Sequence, residues 1–553
     1  MTVLGINLDA TRLGRRLRDG GACLVSEGRP VIGIAEERLS RVKHDAGFGQ
    51  SLDYCLKGAG LHATEIDMCI ATSCCEPIRN TESLLPLEGF DCPIDTVSHH
   101  DAHAYSAFWP SPFDDALIIV LDAGGNTLGG DTNGRWWTAA REQASYYVGS
   151  SYGIELIERD FDQPFDVGFG EMFRAFTHYL GWPSSTFAGN TMALAGLGRG
   201  DLLNKPIWSL DAGRLRSPVS MDPRRPIEMV SKLLRQICFE FPEPRAGGQG
   251  FRQEHADLAE LLQWSFYGAL RSRVESLVRR TGIRRACFAG GVAFNCVAIG
   301  QLLADGILDE VFVQPAAGDT GQCLGAAYVA YERVGGRRPT ERPPFSCYLG
   351  RQYELDEVMR SMAAIDDARI RCSFTEDRVD AILQTARKLA GGHTVAWFSG
   401  ASEFGPRALG SRSLLGDPRD LDVRKRLLEI KGREAFMPFA PSVLNSAQHQ
   451  YFAGPGSEYM TVAVRATERA HREIPAAIHS DGTARVQIIS DQDGAFARMV
   501  RWFGEVTGVE LVLNTSLNLR GQPMAESPAD AVALFMNSEI DCLYMDGILV
   551  AKD

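Results

Sequence analysis

Three histidines, His99, His100 and His103, fall within five positions of a chain that has only 11 histidines in 553 residues. Read as the start of a helix, the stretch from Ser98 to Phe108 sets His99 and His103 four residues apart, one turn along a single face, where two imidazoles can grip one ion. His100 turns away from that face. Two carboxylates stand nearby in kind, each at the exit of an apolar run. Ala116 to Leu121 reads as a buried strand ending in Asp122, Ala123, Gly124, Gly125 and Asn126, and Glu310 to Val313 reads as another that passes Pro315 into Gly318 and Asp319. Open α/β sheets bind ligands at such strand exits. Together His99, His103, Asp122 and Asp319 form a mixed nitrogen and oxygen donor set without thiolate. That set suits Fe(II), Mn(II) or Zn(II) and leaves room on a six-coordinate ion for a substrate oxygen. The metal-free alternative has one histidine working as a general base.

The second half of the chain offers cations rather than an acid/base pair. Arg407, Arg412, Lys431, Arg433 and Arg485 stand in glycine- and proline-rich loops after strands, with hydroxyls from Thr483, Thr515 and Ser516. Phosphoryl and adenylyl transfer depend on positioning and charge neutralisation more than on covalent catalysis, and these groups fit that demand.

The elements that must carry these residues read as α/β. A strand from Val3 to Asn7 precedes a polar loop with Arg12, Arg15, Arg16 and Arg18, and then a hairpin around Glu27-Gly28-Arg29. The hairpin runs into a charged stretch in which Arg38, Arg41 and Lys43 have the types needed to hold an anion. Ser145 to Val148 is a further strand candidate. Met172, Phe173, Phe176 and Leu180 repeat with helical spacing behind Gly168, a glycine that lets a nucleotide approach, and Gly189 to Gly198 reads as a close-approach loop. A long amphipathic helix from about Asp257 to Arg279 leads into the strand Ala286 to Ala289 and then Gly290, Gly291 and Asn295, a turn at which a Cβ would block a ligand. The Gly-, Pro- and Arg-rich run from Gly335 to Pro344 is the clearest linker, which divides the chain into residues 1–340 and 345–553. No internal repeat shows in the sequence.

Composition narrows the class. A chain this long exceeds one core. Its 57 Lys and Arg against 70 Asp and Glu give a net charge of −13, which argues against broad nucleic-acid binding. The start lacks a basic stretch followed by an apolar one, and no apolar run approaches the roughly 18 residues of a membrane span, so a soluble cytoplasmic protein is expected, as monomer or homodimer. Thirteen cysteines without a Cys-x-x-Cys pair read as reduced thiols.

Several of these runs, taken in order, resemble the O-carbamoyltransferases of antibiotic and nodulation-factor biosynthesis. They are Glu36-Glu37-Arg38 through Lys43-His44-Asp45, the His99/His103 pair before Ala104-Tyr105-Ser106-Ala107-Phe108, Phe404-Gly405-Pro406-Arg407-Ala408-Leu409-Gly410, Pro438-Phe439-Ala440-Pro441, and Asn514-Thr515-Ser516 before Gly521-Gln522-Pro523. The resemblance implies an N-terminal domain of the actin/sugar-kinase (ASKHA) fold, like the universal tRNA-threonylcarbamoylation protein. It implies a C-terminal α/β domain similar to the bacterial threonylcarbamoyl-adenylate synthase (YrdC-like). It further implies that carbamoyl phosphate and Mg-ATP yield carbamoyl adenylate in the second domain, and that the first passes the carbamoyl group to the hydroxyl of a small natural product. Carried over by position, His99, His103, Asp122 and Asp319 hold an iron-like ion. Lys43, Gly290, Gly291 and Asn295 line the adenylate pocket, with Gly124, Gly125, Gly168 and Glu171 as further nucleotide contacts. Arg407, Arg412, Lys431, Arg433, Thr483, Arg485, Asn514, Thr515 and Ser516 hold ATP and carbamoyl phosphate, and His44 or His100 serves as base. Departures from the family pattern fall at Arg18-Asp19-Gly20-Gly21 and at Asn190. The rival readings are a tRNA threonylcarbamoyl-type enzyme, against which the acidic balance counts, and a non-catalytic nucleotide-binding module of the same fold.

Overall fold

Short runs of β-branched and aliphatic residues broken by glycine turns become strands, and the first five of them build one sheet. They are β1 (Thr2–Asn7), β2 (Gly21–Ser26), β3 (Arg29–Ala35), β4 (Met68–Ser73) and β5 (Ile94–Ser98), in the order β3-β2-β1-β4-β5. β1 pairs antiparallel with β2 and parallel with β4, which pairs parallel with β5. The helix α1 (His99–Phe108) follows at once. This computed structural model describes all residues except 9–18, 74–88, 129–139, 163–165, 204, 212–213, 221, 223, 239, 364, 366–369, 374–377, 493 and 553. The arginine-rich loop ending at Arg18 therefore lies outside the described residues.

The same order then recurs. β6 (Ala116–Leu121), every residue of it buried, pairs antiparallel with β8 (Ala140–Ser150), which carries the short β7 (Thr127–Leu128) and pairs antiparallel with β9 (Gly153–Asp162). On its other side β6 pairs parallel with β10 (Arg285–Ala289), and β10 pairs parallel with β11 (Glu310–Val313). The path β9-β8-β6-β10-β11 repeats the order of the first sheet strand for strand. It too is followed by a helix, α5 (Gln322–Arg333), after α2 (Phe169–Tyr179), α3 (Gln253–Thr281) and α4 (Cys296–Ala304). A repeat that the sequence does not display is thus present in the topology, and this duplicated order is that of an actin/sugar-kinase-like fold. The two closing helices cross tightly: a Cβ at Gly325 of α5 would stand 1.8 Å from the Ala102 carbonyl oxygen of α1.

The chain divides into two compact units, one of residues 1–31 and 46–345, the other of residues 32–45 and 346–553. The second has a mixed eight-stranded sheet. Its strands are β12 (Ile370–Ser373), β13 (Val395–Phe398), β14 (Arg412–Gly416), β15 (Ala440–Leu444), β19 (Gln487–Ile489), β20 (Leu511–Ser516), β21 (Cys542–Met545) and β22 (Ile548–Lys552). They run in the order β12-β22-β21-β13-β14-β20-β15-β19. A small sheet of β16 (Phe452–Ala453), β17 (Ala463–Ala466) and β18 (Thr483–Arg485) completes this α/β unit.

Several sequence readings change here. The charged run after the hairpin groups with the second unit, where Arg38 donates to the carbonyls of Glu403 (3.0 Å) and Gly405 (2.7 Å), and Arg41 to those of Pro523 (3.0 Å) and Met524 (2.8 Å). These two arginines fasten chain segments instead of holding an anion. The Gly189 loop, with Asn190, is largely a helix, Ala188–Ala195. The linker is anchored within the first unit: Arg338 donates to the carbonyls of Phe108 (2.8 Å), Trp109 (3.1 Å), Ser111 (2.8 Å) and Phe113 (2.8 Å) while its guanidinium lies 3.9 Å over the Phe108 ring. Ten cysteines, from Cys23 to Cys542, are free thiols, and among the described residues no helix is long and apolar enough to cross a membrane.

Candidate functional sites

The first site forms where the duplicated fold brings its closing helices together. Ser98 caps α1 by accepting the Asp101 N–H, which fixes the first turn and sets the His99 and His103 rings edge to face with centroids 5.0 Å apart. Asp122 follows β6, and Asp319 sits just before α5. His99 Nε2 lies 3.0 Å from Asp122 Oδ2 and 3.5 Å from Asp319 Oδ1. His103 Nε2 lies 3.3 and 3.6 Å from the same two oxygens. All four side chains are nearly enclosed. An ion held about 2.1 Å from each donor would set neighbouring donors about 3.0 to 3.4 Å apart, so the quartet fits a divalent cation.

The electrostatics point the same way. Burial works against a charge on His99, but the Asp122 and Asp319 carboxylates outweigh it and hold the imidazole pKa well above its ordinary value. Burial and Asp319 oppose ionisation of Asp122, yet His103 and His99 keep its carboxyl well below the usual aspartate range. Two buried carboxylates call for positive charge between them, and the raised pKa of His99 is the expression of that demand. The placement of Asp319 is itself braced: its carbonyl accepts from Asn7 Nδ2 at 2.8 Å, and Asn7 Oδ1 accepts from Thr72 at 2.6 Å. Asn7 closes β1 as Asp122 follows β6, so the two halves of the fold contribute corresponding strand ends.

His100 is fully enclosed, with Nδ1 2.7 Å from Ser145 Oγ, and burial drives its pKa well below the ordinary value. Its Cδ2 lies where a Cβ on Gly125 would collide, at 2.6 Å. The other residues expected to contact nucleotide have protein partners. Asn295 caps α4 through the Ala298 N–H (3.1 Å) and exchanges amide hydrogen bonds of 2.8 and 3.0 Å with Gln263. Glu171 is held by Arg174 at 2.9 Å and lies 3.5 Å from Arg141. Gly290 has φ 89° and approaches Leu121 so closely that a Cβ would stand 2.1 Å from its carbonyl oxygen, so protein backbone by itself requires a glycine here. Gly124 and Gly168 likewise face Arg141 and Gln143 side chains, while the Cβ position of Gly291 meets only Asp122 Oδ1 at 3.5 Å.

In the second unit the loop after β13 is held from inside. Glu403 Oε1 accepts the N–H groups of Leu409 (2.7 Å), Ser411 (2.8 Å) and Arg412 (3.2 Å). Asn514 donates to Ala408 O (3.1 Å) and Gln487 to Leu409 O (2.7 Å). Arg412 is fully buried 3.6 Å over Phe398 and donates to the carbonyls of Gly400 (2.9 Å) and Ser411 (3.1 Å). It shapes the loop that carries Arg407; Asn514, expected at the ligand, does so as well. Thr483 is bonded to Asp481 at 2.7 Å, and Thr515 is nearly buried in β20.

Around this frame lies a group of cations. Lys431, at the end of a helix (Leu421–Lys431), directs Nζ at the carbonyls of Ser516 and Asn518, both at 2.6 Å, and at Asn518 Oδ1, also at 2.6 Å. Burial first, then Arg433 and Lys43, hold its pKa well below the ordinary lysine value. Burial and the neighbouring Arg485 push Arg433 down to about 10. Lys43, expected in the first domain's pocket, therefore belongs with the second unit's cations. Cations that weaken one another's charge are what a polyanion would relieve. His44, also in this segment, has φ 59° and donates its N–H to Glu37 Oε2 at 2.8 Å. Sequence reasoning missed Glu403, Gln487 and Asn518 here, and Gln322 beside the metal-type quartet; the spacing of Gln322, three residues after Asp319, is the signal that would have found it.

Comparison with known proteins follows the same two-part division. The family model described as carbamoyltransferase N-terminus matches residues 11–83 and 86–328, and the one described as carbamoyltransferase C-terminus matches residues 386–552. Nodulation protein NolNO of Sinorhizobium fredii is 34% identical over 97% of this chain and 79% of its own. An uncharacterised protein of Synechocystis, sll1178, is 30% identical over 97% of this chain and 95% of its own. Among solved structures, an ROK hexokinase from Thermus thermophilus matches with a TM-score of 0.32 and 14% identity over 60% of this chain and all of that one.

Proposed function

Since the chain belongs to the carbamoyltransferase family and is a transferase, we propose that it is an ATP-dependent O-carbamoyltransferase acting on a hydroxyl of a small natural product. What carries this reading is the separation of two chemistries: a metal-type donor set in the first unit and a group of mutually repelling cations in the second. In the second unit, water releases phosphate from carbamoyl phosphate to leave carbamate, whose oxygen attacks the α-phosphorus of Mg-ATP as pyrophosphate departs. Lys43, Lys431, Arg433 and Arg485 neutralise the gathered phosphates, and the braced loop presents Arg407 to them. In the first unit an alcohol attacks the carbamoyl carbon, forming the carbamate ester and releasing AMP. A divalent ion, iron(II) or a similar one, held by His99, His103, Asp122 and Asp319 would supply Lewis acidity toward a carbonyl oxygen. The enclosure of His100 argues against it as base for an incoming alcohol. The acidic balance of the chain counts against tRNA as the acceptor.

The test is isotope exchange between pyrophosphate and ATP in the full chain. Exchange that requires carbamoyl phosphate, together with candidate alcohols gaining the mass of one carbamoyl group, is the expected result. Exchange independent of carbamoyl phosphate, or none in folded protein, would sink the adenylation step.

A further inference from the structure

Gln322 opens α5 one turn after Asp319, so the two share a helix face, as His99 and His103 do on α1. It is fully buried. Its side-chain amide nitrogen lies 3.1 Å from His99 Nε2, 3.3 Å from His103 Nε2 and 3.3 Å from Asp319 Oδ1. These are the separations expected between adjacent donors around one ion held at about 2.1 Å. The nitrogen is also 3.2 Å from His99 Nδ1. Being equally near both nitrogens of that ring, it sits over the imidazole face and meets neither lone pair end on. Meanwhile Gln322 Oε1 is buried and accepts no hydrogen bond. An enclosed carbonyl oxygen without a partner is costly and is the mark of a group awaiting a ligand.

We propose that Gln322 is a fifth protein donor to the ion, binding through Oε1 after its amide turns over. The inference rests on the reading of His99, His103, Asp122 and Asp319 as a divalent-ion site. Without an ion, the inward NH2 faces the Asp319 carboxylate and the two rings. An ion repels that NH2 and attracts the amide oxygen; a half turn about the terminal bond exchanges the two, and the His99 ring turns from presenting its face to the amide to presenting its Nε2 lone pair to the ion. The resulting sphere has two nitrogens and three oxygens, is neutral with a divalent ion and two carboxylates, and keeps one of six positions for substrate. Five protein donors favour ions that take six ligands, such as Mn(II) or Fe(II), over Zn(II), for which four suffice.

The test measures ion binding, not turnover, in the metal-depleted full chain. Free Mn(II) is titrated by electron paramagnetic resonance and Zn(II) by competition with a chelator, for wild type, Gln322→Leu and Gln322→Glu. The expected result is that Gln322→Leu loses at least about tenfold in Mn(II) affinity and far less in Zn(II) affinity, while Gln322→Glu restores Mn(II) binding. Equal Mn(II) affinity in wild type and Gln322→Leu overturns the proposal and leaves the quartet standing. Tighter Mn(II) binding in Gln322→Leu also overturns it, by making the amide a plug. If Gln322→Leu does not fold, Mn(II) binding by Gln322→Glu decides, and a loss of tenfold or more there overturns the proposal. A wild type that binds neither ion overturns the quartet reading and the proposal together.

Discussion

At the scale of single residues, the buried polar and charged groups of this protein balance burial against their protein partners. Arg338 gathers four carbonyls, Arg412 ties loop carbonyls although its Nη2 makes no hydrogen bond, and Asn295 caps a helix; the last two also carried sequence signals of binding. An arginine or asparagine that caps a helix or ties a loop looks, in one dimension, like one that meets a phosphate. Asp162 shows the balance in a titratable group. It accepts the Gly168 N–H at 3.0 Å and Arg141 Nη2 at 3.2 Å, yet burial prevails and pushes its carboxyl up to about 6. The protonated form is favoured in the fold, so the stability it contributes is full below the ordinary aspartate pKa and is lost as pH rises toward about 6. Denaturant unfolding of wild type and Asp162→Asn across this range should give a stability difference that shifts by about 3 kcal/mol against wild type between pH 4 and 6 and is flat outside it. Parallel curves throughout would refute the assignment.

At the scale of elements, α1 is the piece on which the metal-type site depends, and its two ends are held differently. Ser98 accepts the Asp101 N–H at the start, and Arg338 gathers the carbonyls of Phe108, Trp109 and Ser111 at the end. Ser98→Ala should cost about 1 kcal/mol in denaturant unfolding, the usual value of such a cap. Arg338→Ala should cost more, about 3 kcal/mol, since several charge-assisted bonds and a stacked ring are lost together, and Arg338→Lys should not restore it because a point charge cannot span those acceptors. A cost below 1 kcal/mol for Arg338→Ala would mean that water replaces the guanidinium. The helix itself was readable from the His99/His103 spacing, and β6 from its six apolar residues. The duplication was not, because strand order depends on pairings between distant segments: β6 meets β10 across a span that includes β8, β9, α2 and α3. Nothing local in either sequence half records that partner choice. The same holds for residues 32–45, whose membership in the second unit rests on contacts of Arg38 and Arg41 with residues more than 360 positions away.

At the scale of the whole molecule, the metal-type donors all lie in the first unit and the phosphate-type cations in the second, so the two halves of the proposed reaction should be separable by substitution. Asp319→Ala removes a donor that touches both histidines but leaves the second unit intact. It should abolish stoichiometric metal binding and carbamoyl transfer while carbamoyl phosphate-dependent pyrophosphate exchange continues near the wild-type rate. Arg433→Ala should lower pyrophosphate exchange, and overall transfer with it, while metal binding persists. Removing one preorganised charge from a phosphoryl site costs on the order of 10²-fold in rate, and metal content should stay at the wild-type level. Arg433 is the better probe than Lys431, whose Nζ also ties the Ser516 and Asn518 carbonyls and whose loss would disturb β20. The decisive comparison is therefore a pair of assays on each variant, metal analysis and pyrophosphate exchange. If both activities fall together in Asp319→Ala, with folding unchanged by circular dichroism, the adenylation chemistry depends on the first unit and the division of labour proposed here is wrong.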